Sequence, residues 1–229
     1  MELIQFKKMN QMVTHPAKYS DNMIPIFAEK LKDCQRIIDP MAGTGKIAAI
    51  RKYGYNGQIV CNDLEPEFMD QSYIIDMWKF DDAAHLSFDD ETFDGICTSP
   101  TYGNRLADHW HRGENEHSTR FSYFFNLGHN LHEGNTGVMH WGHKYRFKHE
   151  QIWKEQYRIL QPNGILICNI SDFIRSGLVI GVVEFHRNTL LALGLKYIED
   201  IAVPTKRLRF GQNNNARVDH EHILVFRKK

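Results

Sequence analysis

Two glycines and three acidic side chains have the spacing of a site that binds a nucleoside-containing ligand. An apolar run that predicts a strand ends at Asp39, and Gly43 and Gly45 follow before a helical pattern. Glycine has no Cβ and adopts positive φ, so this turn lets the backbone approach a ligand. Asp63 ends the next predicted strand, where a carboxylate can accept both hydroxyls of a ribose, and Asp82 stands at the following carboxyl-end position. The alternative is an ordinary α/β turn with two surface acids. A nicotinamide site fits less well, because the third glycine of its motif is missing.

A second group of residues follows the strand predicted at 93–98. Ser99 offers a hydroxyl oxygen and Pro100 a backbone carbonyl, which the fixed φ of proline helps to aim. Tyr102 offers a ring face on which an extruded base can stack. An amino group on an aromatic base is weakly nucleophilic, and hydrogen bonds accepted from it localise its lone pair. The segment therefore predicts chemistry at an amino nitrogen, driven by alignment and electrostatics. A plain strand-to-loop turn is the alternative, since Ser-Pro and Tyr-Gly are common in turns.

The elements that must position these residues alternate along the chain. Apolar runs predict strands at residues 36–39, 58–63, 93–98, 165–170, 197–203 and 222–226. Helical spacing predicts helices within residues 22–31, 46–53, 148–160 and 178–193. This alternation indicates crossover units and a parallel sheet. The last link has no helical pattern, which is typical of a final antiparallel strand. We therefore predict a doubly wound α/β fold that binds its ligand at the carboxyl ends of the strands.

Length and composition suit one domain over residues 1–229, with 42% hydrophobic and 24% charged residues. The net charge of +0 gives no overall attraction to nucleic acid, although basic groups can still be confined to one face. No apolar run approaches the ~18–20 residues of a membrane span, and the first residues lack a secretory pattern. We expect a cytoplasmic protein without membrane contact. The separated Cys34, Cys61, Cys97 and Cys168 predict buried, reduced thiols.

Three stretches, taken in order, resemble the first three motifs of class I S-adenosylmethionine methyltransferases. They are residues 39–45, 62–66 and 82–88. The resemblance implies a Rossmann-like, mostly parallel seven-stranded sheet and S-adenosylmethionine as cofactor. It implies that the glycine turn cradles the methionine part, that Asp63 holds the ribose, that Leu64 packs on adenine and that Asp82 accepts from the adenine amino group. The cofactor residues it implies here are Asp39, Pro40, Ala42, Gly43, Gly45, Asp63, Leu64, Asp82 and Ala83.

Residues 99–102 resemble the Ser-Pro-Pro-Tyr motif of DNA amino-methyltransferases, with Thr101 in place of the second proline. The resemblance implies that Ser99, Pro100 and Tyr102 are catalytic. Serine at the first position is more typical of cytosine-specific members, so cytosine N4 is favoured over adenine N6. A methylase of the cytosine ring carbon would need a Pro-Cys nucleophile, and Cys97 is better interpreted as a core residue.

Both ends of the chain extend this resemblance. Residues 14–20 look like the motif that lines the methionine end of the cofactor, which adds His15, Pro16 and Ala17 to the cofactor residues. This motif precedes the glycine turn, so the cofactor half comes before the catalytic half. Residues 220–228 look like the final strand of many DNA methylases.

Two stretches outside these motifs are candidates for target recognition. The first, about residues 103–147, interleaves aromatic and basic side chains, which suits base stacking and phosphate contact. Within it, residues 121–127 can equally form the buried face of a helix. The second, residues 206–219, is rich in cations and amides, with a solvated hairpin tip as the alternative. The expected substrate contacts are Thr101, Asn104, Arg105, Lys206, Arg207 and Arg209.

The resemblance favours DNA as the substrate. The nearest alternative is an RNA amino-methyltransferase acting on an unpaired base. An alternative from another class is a non-catalytic nucleic-acid-binding module that retains the fold, suggested by Thr101 and the missing recognition domain. His109, His111 and His117 resemble metal ligands in spacing, but without a nearby cysteine or a His-Glu-x-x-His motif we expect no metal.

Overall fold

A computed structural model describes residues 15, 19–103, 123–205 and 218–229. Its strands are β1 Arg36–Asp39, β2 Gln58–Asn62, β3 Met77–Lys79, β4 Phe93–Thr98, β5 Leu160–Ile170, β6 Phe173–Arg175, β7 Leu178–Ile180, β8 Lys196–Pro204 and β9 His220–Arg227. Its α-helices are α1 Ile24–Leu31, α2 Tyr123–Leu127, α3 His143–Ile159 and α4 Val182–Ala192. Short 3-10 helices cover Asp21–Met23, Lys46–Tyr53, Pro66–Phe68 and Thr136–Val138.

Seven strands form one sheet in the order β3-β2-β1-β4-β5-β9-β8. All neighbouring pairs are parallel except those of β9, which is antiparallel to both β5 and β8. The predicted doubly wound, mostly parallel sheet with a final antiparallel strand is therefore confirmed. The strand order reverses between β1 and β4, and a doubly wound sheet binds its ligand at the carboxyl ends of the strands beside such a reversal.

Both faces of the sheet are buried, which explains why its central strands are continuous apolar runs. Alternate residues of β1 enter two different hydrophobic clusters. Ile37 packs in the cluster that contains α1 and the 3-10 helix Lys46–Tyr53. Ile38 packs in the cluster that contains residues of α3 and α4. The two layers of helices therefore hold the central strands from opposite sides and fix where their carboxyl ends lie.

The predicted helix over 178–193 is wrong at its start. Residues 178–180 are strand β7, which pairs with β6 in a separate two-stranded hairpin. Ser176 and Gly177 both have positive φ, of 51° and 78°, and turn the chain back between the two strands. The helix begins only at Val182. An apolar run this short does not distinguish a strand from the first turn of a helix.

Three further elements differ from the expectation. Helix α3 begins at His143 rather than near 148, and Leu160 already belongs to β5. The segment 46–53 is a 3-10 helix. Strand β3 was not predicted, because its three half-buried residues at the sheet edge are too few to form a strand pattern. Within the described ranges, no helix is long and apolar enough to cross a membrane.

Two glycines at the ends of the 3-10 helix Lys46–Tyr53 provide a matched test of this packing. Both have positive φ, +79° at Gly45 and +91° at Gly54. A Cβ at Gly45 would lie 2.4 Å from Ile75 Cδ1 and 2.8 Å from the Trp78 ring, whereas one at Gly54 meets nothing within 4 Å. We expect Gly54→Ala to lower the free energy of unfolding by about 1 kcal/mol. We expect Gly45→Ala to lower it by a further ~1–3 kcal/mol, because its Cβ also overpacks the core. Urea denaturation measures both, and equal losses would contradict the steric contribution.

Candidate functional site

A cavity of about 390 Å³ lies at the carboxyl ends of β1, β2 and β4. Most of the residues selected from the sequence line it. They are His15, Pro40, Ala42, Gly43, Asp63, Leu64, Asp82, Ala83, Ser99, Pro100, Thr101 and Tyr102. The fold thus brings the two predicted groups to one cavity. Pro16, Ala17, Asn104, Arg105, Lys206, Arg207 and Arg209 lie outside the described residues.

The glycine turn is hydrogen-bonded to Asp63, the residue that follows β2. Gly43 has φ of +54°, and its N–H donates to Asp63 Oδ2 at 2.7 Å. The Glu65 N–H donates to Asp63 Oδ1 at 3.0 Å. A Cβ at Gly43 would lie 3.1 Å from His15 Nε2, so both the conformation and the close approach favour glycine. His15 itself packs edge-on against Phe68, with ring centroids 4.4 Å apart.

The carboxylate of Asp63 is arranged to receive hydroxyl donors. Burial raises its pKa to about 6, while the amide hydrogen bonds from Glu65 and Gly43 act in the opposite direction. Each carboxylate oxygen keeps a second lone pair after accepting one amide. Asp63 is therefore mostly ionised at neutral pH and can still accept hydrogen bonds from a ligand.

Asp39 and Gly45, which the sequence analysis also selected for the cofactor, are not among the residues that line the cavity. The glycine turn and Asp63 form one wall of the cavity. Asp39 is fully buried behind this wall and accepts from the Tyr19 hydroxyl at 2.8 Å and from the Met41 N–H at 3.2 Å. Burial raises the pKa of Asp39 to about 7. The α-carbon of Gly45 faces Ile75 and Trp78 instead. Both residues shape the turn from behind.

Asn62 supports this wall, although the sequence analysis did not select it. Its Nδ2 donates to the Pro40 carbonyl at 3.0 Å and to the Asp81 carbonyl at 2.9 Å. Its Oδ1 accepts from the Asp81 N–H at 2.8 Å. The side chain is fully buried and ties together the chain beyond β1 and β3. The signal in the sequence is a polar residue at the carboxyl end of an otherwise apolar strand.

Asp82 faces the cavity but already has partners. Its Oδ2 forms an ion pair with Lys148 of α3, and its Oδ1 accepts from the Ala84 N–H at 3.0 Å. A ligand that bonds to Asp82 must therefore share the carboxylate with Lys148 or displace that side chain.

The loop after β4 is held by hydrogen bonds at Thr101. The Thr101 hydroxyl lies 2.7 Å from the Thr136 hydroxyl, and the Tyr145 hydroxyl donates to the Thr101 carbonyl at 2.5 Å. Gly103 closes the loop with φ of +79°, where a Cβ would lie 3.1 Å from the Met139 carbonyl oxygen. Thr101, which stands where the Ser-Pro-Pro-Tyr motif has its second proline, is therefore anchored through both its side chain and its carbonyl.

A buried chain of donors orients the Tyr145 hydroxyl. Trp153 Nε1 donates to His186 Nδ1 at 2.9 Å, and His186 Nε2 lies 3.1 Å from the Tyr145 oxygen. Burial, and then the neighbouring His149, lower the pKa of His186 well below its usual range. A neutral imidazole that accepts at Nδ1 carries its proton on Nε2. His186 therefore donates to the Tyr145 oxygen, which directs the Tyr145 proton to Thr101. Neither Thr136, Tyr145 nor His186 was selected from the sequence.

Four further residues lie in or near the loop after β4. Tyr102 is half buried, and its ring packs against the same hydrophobic cluster as Trp141. Asn169 and Glu221 line the cavity with Ser99 and were also missed by the sequence analysis. Cys97 is fully buried on β4, and burial raises its thiol pKa well above the usual value, as expected for a core residue rather than a nucleophile.

The described part of the first candidate recognition stretch is partly core and partly surface. Tyr123 of α2 is buried and packs against the His15 and Phe68 rings, as the helix interpretation predicted. The first turns of α3 instead expose Lys144, Arg146 and Phe147. Among the described residues, no group of three or more potential ligands is arranged for a metal ion, and His109, His111 and His117 lie outside them.

No protein-family model matches the sequence, and no curated protein matches it either. Solved structures do share the fold. One is 1,6-didemethyltoxoflavin-N1-methyltransferase from Burkholderia thailandensis, solved with S-adenosylhomocysteine, at 13% identity, TM-score 0.52, and coverage of 91% of this chain and 77% of that chain. Another is the N-methyltransferase NodS from Bradyrhizobium japonicum, at 14% identity, TM-score 0.51, and coverage of 90% and 93%. The cyclase SpnF has 15% identity, TM-score 0.56, and coverage of 91% and 81%. At such identities the likeness establishes a Rossmann-like fold of the methyltransferase type and no more.

The buried carboxyl of Asp39 predicts a specific pH dependence of stability. Its folded pKa of about 7 exceeds the unfolded value of about 3.9, so the folded state holds a proton that the unfolded chain releases. This contribution is fully present below about pH 4 and is lost as the pH rises through about 7. We take the free energy of unfolding of the wild type minus that of Asp39→Asn. This difference should fall by about 2–3 kcal/mol between pH 5 and pH 8. Urea denaturation at both pH values measures this difference.

The exposed Asp89 provides the control substitution, Asp89→Asn. Its difference from wild type should stay nearly constant between the same pH values. The Asp63 carboxyl is present in all three proteins, so only its interaction with Asp39, which also raises the pKa of Asp39, enters the comparison. A pH-independent difference for Asp39→Asn would contradict the assignment.

Proposed function

We propose that residues 1–229 form one methyltransferase domain that binds S-adenosylmethionine and methylates an exocyclic amino nitrogen of a base in DNA, with cytosine N4 favoured over adenine N6. One observation carries the proposal. A single cavity is lined at one side by the glycine turn and Asp63 and at the other by Ser99, Pro100 and Tyr102. Cofactor-type and acceptor-type groups therefore face a common space.

The residues of the wall suit S-adenosylmethionine, which supplies a methyl group on a positively charged sulfur. The Gly43 backbone leaves room that a Cβ would fill against His15. Asp63 is an ionised acceptor placed for two ribose hydroxyls. Asp82 and Leu64 line the same cavity where the resemblance places the adenine. The buried Asp39 and Asn62 hold these groups in position before any ligand arrives.

The loop after β4 supplies what an aromatic amine needs. The Ser99 hydroxyl and the Pro100 carbonyl accept hydrogen bonds from the amino group and turn its lone pair towards the methyl donor. The Tyr102 ring supports the base by stacking. Anchoring of Thr101 by Thr136 and Tyr145 keeps the acceptors aligned, which is where most of the rate gain arises. The amine becomes acidic once methylated, so its proton passes to solvent without a strong base.

A basic and aromatic surface adjoins the loop and supports nucleic acid as the substrate. Gly103 packs against the backbone of Trp141, and Trp141 leads into the exposed start of α3. The Arg146 guanidinium lies 5.6 Å from the centroid of the Trp141 ring, with Lys144 and Phe147 exposed beside it. Such cations and rings contact phosphates and stack on bases. Two of the structural neighbours are named N-methyltransferases, but neither is named for a nucleic acid, so DNA rests on the motif and this surface.

Methyl incorporation tests the proposal directly. Purified protein is incubated with S-adenosylmethionine carrying a labelled methyl group and with single-stranded DNA, duplex DNA or RNA, and the digested nucleosides are identified by mass spectrometry. We expect N4-methylcytosine in DNA. Label confined to RNA would transfer the proposal to RNA. Label in neither polymer, with the cofactor bound in calorimetry, would exclude the nucleic-acid target. Failure to bind the cofactor would favour the non-catalytic module.

A pair of variants separates the two halves of the site. Tyr102→Ala should lower kcat/KM for the base by about 10–100-fold, because base–aromatic stacking is lost, with cofactor Kd changed less than about twofold. Asp63→Ala should weaken cofactor binding by about tenfold or more, because a charged acceptor is removed. Calorimetry and initial rates measure the two effects. Tyr53→Ala, at an exposed tyrosine outside the cavity, is the control. Equal losses of binding and turnover in Tyr102→Ala would refute the stacking role.

A further inference from the structure

We infer that Glu221, held through Asn169, places a buried negative charge beside Ser99 that selects an amino group over an oxo group and stabilises the positive charge that develops on its nitrogen. This inference rests on the proposed methyl-transfer function and names the acceptor chemistry that the site takes. The sequence motifs assign no role to either residue, although Glu221 falls in the stretch that resembles a final strand.

The topology brings the three residues together. Ser99 follows β4, Asn169 lies near the carboxyl end of β5, and Glu221 lies near the start of β9. Because β9 runs antiparallel to β5, its first residues meet the last residues of β5 at the ligand edge of the sheet. All three residues line the cavity. Asn169 is 1% exposed and Glu221 is 9% exposed, so their polar groups interact in a poorly solvated environment.

Glu221 fixes which way the Asn169 amide faces. Asn169 Nδ2 donates to Glu221 Oε2 at 2.9 Å, and a carboxylate can only accept, so the amide nitrogen must face Glu221. The same nitrogen lies 3.5 Å from Ser99 Oγ, at the outer limit of a hydrogen bond. Among the described residues, Asn169 Oδ1 is buried without a hydrogen-bond donor. No contact at Asn169 Oδ1 fixes the orientation of the amide. The hydrogen bond from Nδ2 to the Glu221 carboxylate therefore sets that orientation.

The consequence for the cavity is a defined polarity. The Asn169 amide hydrogens are directed at Ser99 and Glu221, so one donor joins the serine oxygen to the carboxylate. The Ser99 hydroxyl can still accept or donate, the Pro100 carbonyl can only accept, and the negative charge of Glu221 lies behind them. An amino group offers hydrogens to the carbonyl and is favoured by the charge. An oxo group sets its oxygen against the Pro100 carbonyl and the Glu221 charge, and a phosphate adds a second negative charge.

The same charge acts on the chemical step. As the new N–C bond forms and the S–C bond breaks, positive charge passes from sulfur to nitrogen, and the nitrogen then loses its proton to solvent. A fixed carboxylate near the nitrogen lowers the energy of that charge shift, and poor solvation increases the effect. Glu221 should therefore act on kcat more than on binding of the cofactor.

Binding to amino and oxo bases tests the selection without requiring turnover. The protein is saturated with S-adenosylhomocysteine and titrated with short oligo-dC against oligo-dU, and with oligo-dA against oligo-dI, by fluorescence anisotropy. We expect the amino base of at least one pair to bind about tenfold more tightly, since an unpaired buried acceptor is costly. Glu221→Gln keeps the shape but loses the charge, and should reduce this preference severalfold, to the part that the Pro100 carbonyl provides. Asn169→Ala should reduce it in part.

Glu199→Gln provides the matched control, because Glu199 lies on β8, is paired with Lys30 and does not line the cavity. It should keep the full preference. Thermal melts and S-adenosylhomocysteine titrations identify any variant that has lost its fold, and Glu221→Gln and Asn169→Ala report on the selection independently.

Two results would overturn the inference: no preference for amino bases in the wild-type protein, or an undiminished preference in Glu221→Gln. Both results come from binding alone, so they can be read whether or not the protein methylates DNA. Methyl incorporation, followed in parallel, tests the proposed function separately. Where incorporation is detected, Glu221→Gln should lower kcat about tenfold or more with cofactor Kd nearly unchanged.

Discussion

The hydrogen bond from the Gly43 N–H to Asp63 Oδ2, at 2.7 Å, is the contact on which the site depends. It joins the turn after β1 to the carboxyl end of β2, so neither can move without the other. Asn62 reinforces the junction from inside with its bonds to Pro40 and Asp81. These groups are buried, and each needs its partner because an unpaired buried polar group costs about 1–3 kcal/mol. This side of the cavity is therefore built into the fold rather than assembled by a ligand.

The loop after β4, on the other side of the cavity, is also fixed in place, but by a chain of hydrogen bonds from two helices. Its loop is immobilised at Thr101 by hydrogen bonds from outside the loop, which begin in the core at Trp153 and pass through His186 and Tyr145. A second proline would restrict the same backbone by its ring alone. With threonine at position 101, the conformation of the loop depends on how α3 and α4 pack. Tyr145 and Trp153 belong to α3, and His186 belongs to α4.

Much of the fold followed from the sequence because buried parallel strands carry a strong local signal. Ile37 and Ile38 identify a strand buried on both faces, and the glycine turn after Asp39 identifies its ligand end. Strand β3 escaped notice because three half-buried residues carry no such pattern. The start of α4 was misplaced because the apolar residues before Gly181 fit either structure. Most described residues with motif spacing line the cavity, whereas residues that act through long-range contacts were not selected from the sequence. Tyr145, Asn169 and Glu221 meet their partners 44, 70 and 52 residues away, and no local pattern records such pairings.

The pairing of β8 with β9 has a consequence for how this protein can change. The two strands pair without a further shift from Glu199 and Val225 up to Pro204 and His220, and the Thr205 N–H donates to the Asp219 carbonyl at 2.8 Å. The chain therefore leaves β8 and enters β9 at two neighbouring, fixed points. Because β9 also pairs with β5 on its other edge, substitutions or insertions between Thr205 and Asp219 would leave the position of Glu221 unchanged. Sequence change between these two residues is thereby uncoupled from the geometry of the cavity, and residues can be gained or lost there at little cost in stability.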